Sequence, residues 1–148
     1  MDIIVLKGIP LPPSVNHQYK TVMVGGKLMR VPSKEYKQYK KDFAAWAMLK
    51  KNEILVARQA IIDWNSTLEV SMYCCFEQSR LITKDGRCKN LDISNRSKAL
   101  HDLLSEALQI NDSTFVSTPM EKVLASLVEE AIIVIKPFSY RYSNDLKL

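Results

Sequence analysis

Apolar and polar positions follow two rhythms along this chain. Asp2 to Leu6 is a short apolar run of strand type, ended by PLPPS (Pro10 to Ser14), whose prolines fix φ and remove amide donors. In TVMVGGKLMRV two strand-like runs flank Gly25 and Gly26, which reach the positive φ angles of a two-residue turn, so a β-hairpin is predicted. From Lys34 the rhythm changes to helical. KEYKQYKKDFAAWAMLKKNEILVARQ contains neither Gly nor Pro, and Tyr36, Tyr39, Phe43, Trp46 and Ala47 recur at spacings of three and four. One long helix from Lys34 to Gln59 follows, with Ser33 as its N-cap and the aromatic stripe laid on a sheet.

Ser66 to Phe76 (STLEVSMYCCF) returns to alternation, with Leu68, Val70, Met72 and Cys74 on one side, and predicts a central strand. Residues Gln78 to Asn90 are polar and basic and carry a DG step, which predicts an exposed loop. A second helix is predicted from Ile93 to Gln109, then a short strand at Thr114 to Met120 and a last strand at Ser126 to Lys136. The order β-β-β-α-β-α-β-β describes an α+β fold: a single domain, a mixed β-sheet and two main helices. Residues 1–138 make up the expected domain and 139–148 an expected flexible tail. No internal repeat or linker divides the chain.

Charge changes this picture by halves. Residues 1–51 hold ten Lys/Arg against three Asp/Glu, a balance of +7, and residues 52–148 hold eleven against thirteen, or −2, in agreement with the net +5. A polyanion-binding region beside an acidic one is the expectation. Lys34, Lys37 and Lys41 lie on the polar side of the first helix, where they form either a solvated face or a set of phosphate contacts. Three cysteines without CxxC or Cys/His spacing exclude a disulfide framework and a zinc site, and a reducing cytoplasm fits them. The N-terminal run IIVL is too short for a signal segment, and no stretch approaches a membrane span.

The chemistry concentrates in LDISNRSKALHD, Leu91 to Asp102. At about 100° per residue, Asn95, Lys98 and Asp102 fall within an arc of roughly 60°, opposite Leu100, Leu104 and Leu108. Asp92 stands at the helix start, where free N–H groups favour a carboxylate. After the helix, QINDSTF places Asn111 and Asp112 just before a strand, which is expected to return Asp112 to the sheet end near Asp92. Two such carboxylates suit Mg²⁺, which takes few hard oxygen ligands and keeps water and phosphate in its other positions. Lys98 would then stabilise charge on a scissile phosphate. Each residue also has a purely structural role open to it: Asp92 as a cap, Asn95 as a solvated polar group, Lys98 and Asp102 as an i,i+4 ion pair, and Asn111-Asp112 as turn chemistry.

Three marks, PPSVNHQY (Pro12 to Tyr19), DISNRSKALHD (Asp92 to Asp102) and NDS (Asn111 to Ser113), are together similar to the RusA-type Holliday-junction resolvases, small endodeoxyribonucleases common in phages and prophages. The resemblance implies that Asp92 and Asp112 hold Mg²⁺ or Mn²⁺, that Lys98 is needed for cleavage, and that Asn16 and Asn95 position or contact DNA. It implies a supporting role for Asp102, and Lys122 stands ten residues after Asp112 where the family commonly has a basic residue. The family's second aspartate of the block is Ser94 here, and the first acid of its D-D pair is Asn111. Ser94 is a further metal ligand on this reading, with one negative charge fewer, and Asn111 supports Asp112. The implied partner is four-way junction DNA, cut by a homodimer with one site per subunit and no small-molecule cofactor. Neither His17 nor His101 sits in a recognisable nuclease motif. Two alternatives stay open: a branched-DNA-binding module that cuts weakly or not at all because of Ser94, and an unrelated small RNA-binding α+β protein.

Overall fold

The computed structural model describes residues 1–147, so Leu148, the last residue of the expected tail, lies outside the described residues. A mixed sheet is built in the order β1-β7-β4-β5 from β1 (Ile4–Ile9), β4 (Leu68–Phe76), β5 (Phe115–Ser117) and β7 (Glu130–Pro137), while β6 (Met120–Leu124) also pairs with β4. β4 is its centre. It runs antiparallel to β7 from Leu68 opposite Pro137 to Cys75 opposite Glu130, and parallel to β5 and β6 on its other side. The hairpin of β2 (Tyr19–Val24) and β3 (Lys27–Pro32) is a separate two-stranded sheet whose turn residues Gly25 and Gly26 both have positive φ, 57° and 79°.

Three helices bury their apolar stripes against one face of this sheet. They are α1 (Lys34–Leu49), α2 (Lys51–Trp64) and α4 (Ser94–Leu108); a short α3 (Gln78–Leu81) follows β4. Phe43 and Trp46 of α1, Ile54, Ala57 and Ile61 of α2, and Leu100, Leu104 and Leu108 of α4 share one core with Leu6, Val70, Met72, Phe76, Ile133 and Ile135 of the strands. Burying each such side chain contributes about 1.5–3 kcal/mol, and this is what orients α4. The aromatic stripe of α1 divides: Phe43 and Trp46 enter this core, whereas Tyr36 and Tyr39 pack against Ala99 of α4. No helix among the described residues is long and apolar enough to cross a membrane.

Several element boundaries differ from those the sequence predicts. The single helix expected from Lys34 to Gln59 is two, broken at Lys50, whose φ/ψ of −99°/16° leave the helical well, and α2 continues to an αL cap at Asn65. The break has no Gly or Pro; it lets the stripe of α2 turn onto the core beside α4. The strand expected from Thr114 to Met120 is β5 plus β6, parted at Thr118-Pro119, because Pro119 has no amide to donate while its carbonyl accepts from the Met72 amide at 2.8 Å. The last strand begins at Glu130 rather than Ser126, and the first spans Ile4–Ile9. Within the exposed Gln78 to Asn90 loop, Arg80 pairs with Glu129 at 2.6 Å. Residues 143–145 of the expected tail form one 3-10 turn.

Leu104, at the middle of α4 and 1% exposed, tests this packing. Leu104→Ala should destabilise the protein by about 2–5 kcal/mol in chemical denaturation. A loss below about 1 kcal/mol would mean that α4 is not seated as described.

Candidate active site

The first turn of α4 is held by the residue two places before it. Asp92 Oδ1 accepts from the Ser94 amide at 2.8 Å and from the Ser94 hydroxyl at 2.7 Å, and Oδ2 accepts from Asn95 Nδ2 at 3.0 Å. The carboxylate thus takes one orphan amide of the helix start, that of Ser94, together with two side-chain donors. The Ser94 hydroxyl, then the Ser94 amide, and more weakly the Lys122 charge hold the Asp92 carboxyl below the ordinary carboxylate range. It is an exposed, ionised group. Lys122 reaches this end of α4 from β6 and donates to the Leu91 carbonyl at 3.2 Å.

Lys98 lies one turn beyond Ser94 on the exposed side of the helix. Its ammonium is 3.3 Å from Asp102 Oδ2, with side-chain exposures of 71% and 38%. Such a pair is worth only tenths of a kcal/mol, so a phosphate can take Asp102's place at little cost. The early loop is tied to the same turn from the other side. Arg96 Nη1 donates to the Pro12 carbonyl at 2.7 Å, and Gln18, 1% exposed, donates from Nε2 to the Pro13 carbonyl at 3.1 Å and to the Asn95 carbonyl at 3.5 Å. These bonds set the 3-10 turn Val15–His17, which carries exposed Asn16, against α4. Asn16, Asp92, Ser94, Asn95, Lys98 and Lys122 are therefore gathered around one helix end.

Asp112 is not gathered there within the chain. It follows α4, whose 15 residues span about 22 Å, so the helix stands between it and Asp92. The expected return of Asp112 to Asp92 fails because β5 pairs with the start of β4, at Leu68, whereas Lys122 beside Asp92 pairs further along that strand, opposite Cys74. Asp112 is exposed and opens the 3-10 turn Asp112–Thr114, which Asn111 caps by accepting from the Ser113 amide at 2.9 Å. His101 lies edge-on to Phe115 at 5.7 Å, and burial pushes its imidazolium pKa down although Asp102 and Asp112 push the other way. It is a poor candidate for a solvent-facing base. Lys34, Lys37 and Lys41 are exposed on α1 and make no ion pair among the described residues. Arg96 and Gln18 were not singled out by sequence; a buried glutamine and an arginine bonded to a carbonyl leave no periodic signal.

Among the described residues no three His, Cys, Asp or Glu come together in metal-holding range. At Asp92, however, three of roughly four lone-pair positions are used and one on Oδ2 stays open. The Ser94 hydroxyl spends its proton on Asp92, which leaves its own lone pairs available. Asp92 and Ser94 are hard oxygen donors of the type Mg²⁺ takes, and together they carry one negative charge.

The chain matches the family model described as Endodeoxyribonuclease RusA over residues 10–136. A search of the curated proteins finds no match.

The hydrogen bonds at Asp92 carry a pH consequence. Because its folded pKa lies below its unfolded one, its contribution to stability is complete above the ordinary carboxylate range and is lost as pH falls through the lowered value. Ser94→Ala removes the largest cause, so the Asp92 carboxyl should titrate at higher pH in ¹³C-detected NMR. An unchanged titration would show that Ser94 does not hold Asp92.

Proposed function

Since the chain belongs to the RusA endodeoxyribonuclease family, we propose that it resolves four-way DNA junctions by paired, metal-dependent nicking as a homodimer. The observation that carries this reading is the constellation at the start of α4: an ionised, exposed Asp92 with an open coordination position, an exposed Lys98 one turn on, and Lys122 and Asn16 beside them. Asp92 and Ser94 would hold Mg²⁺ or Mn²⁺, which would supply the Lewis acidity for activating water and for charge on the leaving 3′-oxygen. Lys98 exchanges Asp102 for the scissile phosphate and stabilises its growing charge. Asn16, Asn95 and Lys122 orient the strand, and Lys34, Lys37 and Lys41 supply salt-sensitive phosphate contacts.

The second carboxylate is Asp112 of the partner subunit. Within one chain α4 runs between Asp112 and Asp92. A two-fold axis that sets two copies of α4 antiparallel brings the end of each helix to the start of the other. Two such sites, related by that axis, match the two opposed strands of a four-way junction. The homodimer is then required for cleavage itself.

Mixing experiments test this directly. Asp92→Asn and Asp112→Asn should each abolish the paired nicks on a synthetic four-way junction with Mg²⁺ or Mn²⁺ while binding is kept. Subunit exchange between the two variants should restore nicking of one strand, since one of the two sites regains both acids. No rescue on verified exchange would place both acids in one chain, and nicking by either variant alone would remove that acid from the mechanism. Lys98→Ala should lower the cleavage rate about 100-fold with junction affinity little changed. Ser94→Asp should lower the metal concentration needed for half-maximal rate, and an unchanged requirement would exclude Ser94 from the site.

A further inference from the structure

Among the described residues the β2–β3 hairpin has no structural partner for most of its length. Its base is fixed: Tyr19 packs on Tyr36 with ring centroids 5.5 Å apart, and the Ser33 amide donates to the Gln18 carbonyl at 2.8 Å. Beyond that base both faces meet solvent, and a two-stranded sheet in water is marginal on its own. Its tip is apolar. Met23 and Leu28 are cross-strand neighbours, 70% and 73% exposed, one pair back from the Val24–Lys27 pair that closes the Gly25-Gly26 turn. Its charge is of one sign: Lys20, Lys27 and Arg30 are present and no acid occurs from Tyr19 to Pro32.

The hairpin also stands in a telling place. Gln18, at its root, is bonded to the Asn95 carbonyl in the first turn of α4, so the hairpin rises beside the cleavage constellation. Arg30 is stacked over Tyr19 at 4.6 Å, which stiffens the stem. Six-residue strands project about 20 Å, and a two-stranded ribbon has the width that a DNA groove admits. A second copy of the chain is a poor occupant for this surface, since a two-fold contact would set the same three cations against one another. A polyanion with exposed base faces fits both features.

We propose that the β2–β3 hairpin is a branch-point wedge: the Met23–Leu28 tip inserts where bases at the centre of a four-way junction lack a stacking neighbour, while Lys20, Lys27 and Arg30 hold the flanking phosphates. Apolar side chains are used in this way to part base steps, and the cost is least where stacking is already interrupted. The tip then supplies preference for branched over linear DNA, and the cations supply affinity for both. This inference rests on the junction-resolving reading above.

The test uses junctions carrying 2-aminopurine at the branch point and a linear duplex of the same sequence. Wild type should raise the 2-aminopurine fluorescence and prefer the junction. Met23→Ser/Leu28→Ser should abolish the rise and remove about tenfold of that preference, with duplex Kd unchanged within about twofold. Leu28→Phe, which keeps an apolar tip, should retain the signal. Lys20→Gln/Lys27→Gln/Arg30→Gln should weaken both substrates and lower the salt slope by about 0.9 for each phosphate that is no longer neutralised. A serine variant with undiminished preference and signal would overturn the wedge alone, as would a change in its oligomeric state by sedimentation, which would assign the tip to a second copy. Wild type without junction preference would overturn the junction-resolving reading and the wedge together.

Discussion

The seating of α4 on the sheet is the interaction on which the rest of the molecule depends. Leu100, Leu104 and Leu108 face inward among Met72, Phe76 and their neighbours, and Ala99 is closed over by Tyr36 and Tyr39, so the helix has one rotational setting. That setting turns Ser94, Lys98 and Asp102 outward in a line, at intervals of four. It also fixes the two ends. Asp92 is presented at the N-terminal end, where helix amides and the positive end of the dipole favour a carboxylate, and Asp112 at the far end. A slip of the helix by one residue would bury Lys98 and expose Leu100, and the sheet forbids it.

A second set of constraints is polar. The proline loop cannot form strand or helix bonds of its own, so its carbonyls need donors from outside. Arg96 answers Pro12, and buried Gln18 answers Pro13 while reaching Asn95. The proline segment, the hairpin root and the first turn of α4 thereby become one rigid corner. Arg96 has no ion-pair partner within salt-bridge distance among the described residues and lies over Phe76 at 5.5 Å, so its role is fixed by a carbonyl and a ring rather than by an acid.

What could be read from sequence follows from where the information is local. The Gly25-Gly26 turn, the Ser33 cap, whose oxygen accepts from the Tyr36 amide at 3.1 Å, and the Ile93 to Gln109 helix are written in adjacent residues and were legible within about one residue. The break at Lys50 was not, because nothing there disfavours helix; the core beside α4 imposes it. Pro119 parts β5 from β6 through a pairing with Met72 that no window of sequence contains. The polar corner was hidden for the same reason. The grouping of Asp92 with Asp112 was inferred from order along the chain, but order does not convey distance, and α4 lies between them.

The two departures from the family pattern share a physical consequence. Ser94, in place of an acid, donates both its hydroxyl and its amide to Asp92; Asn111, in place of an acid, caps the turn that carries Asp112. A carboxylate at position 94 would face Asp92 with like charge and raise its pKa, whereas the hydroxyl lowers it. The serine thus keeps Asp92 ionised to lower pH and fixes its orientation, while the site loses a unit of negative charge with which to attract a divalent cation. On the proposed reading, orientation of one acid is set against charge for the pair, and dimer formation supplies the remaining charge. On the same reading metal affinity and self-association are linked quantities, because a cation that needs donors from both subunits would stabilise the dimer that binds it.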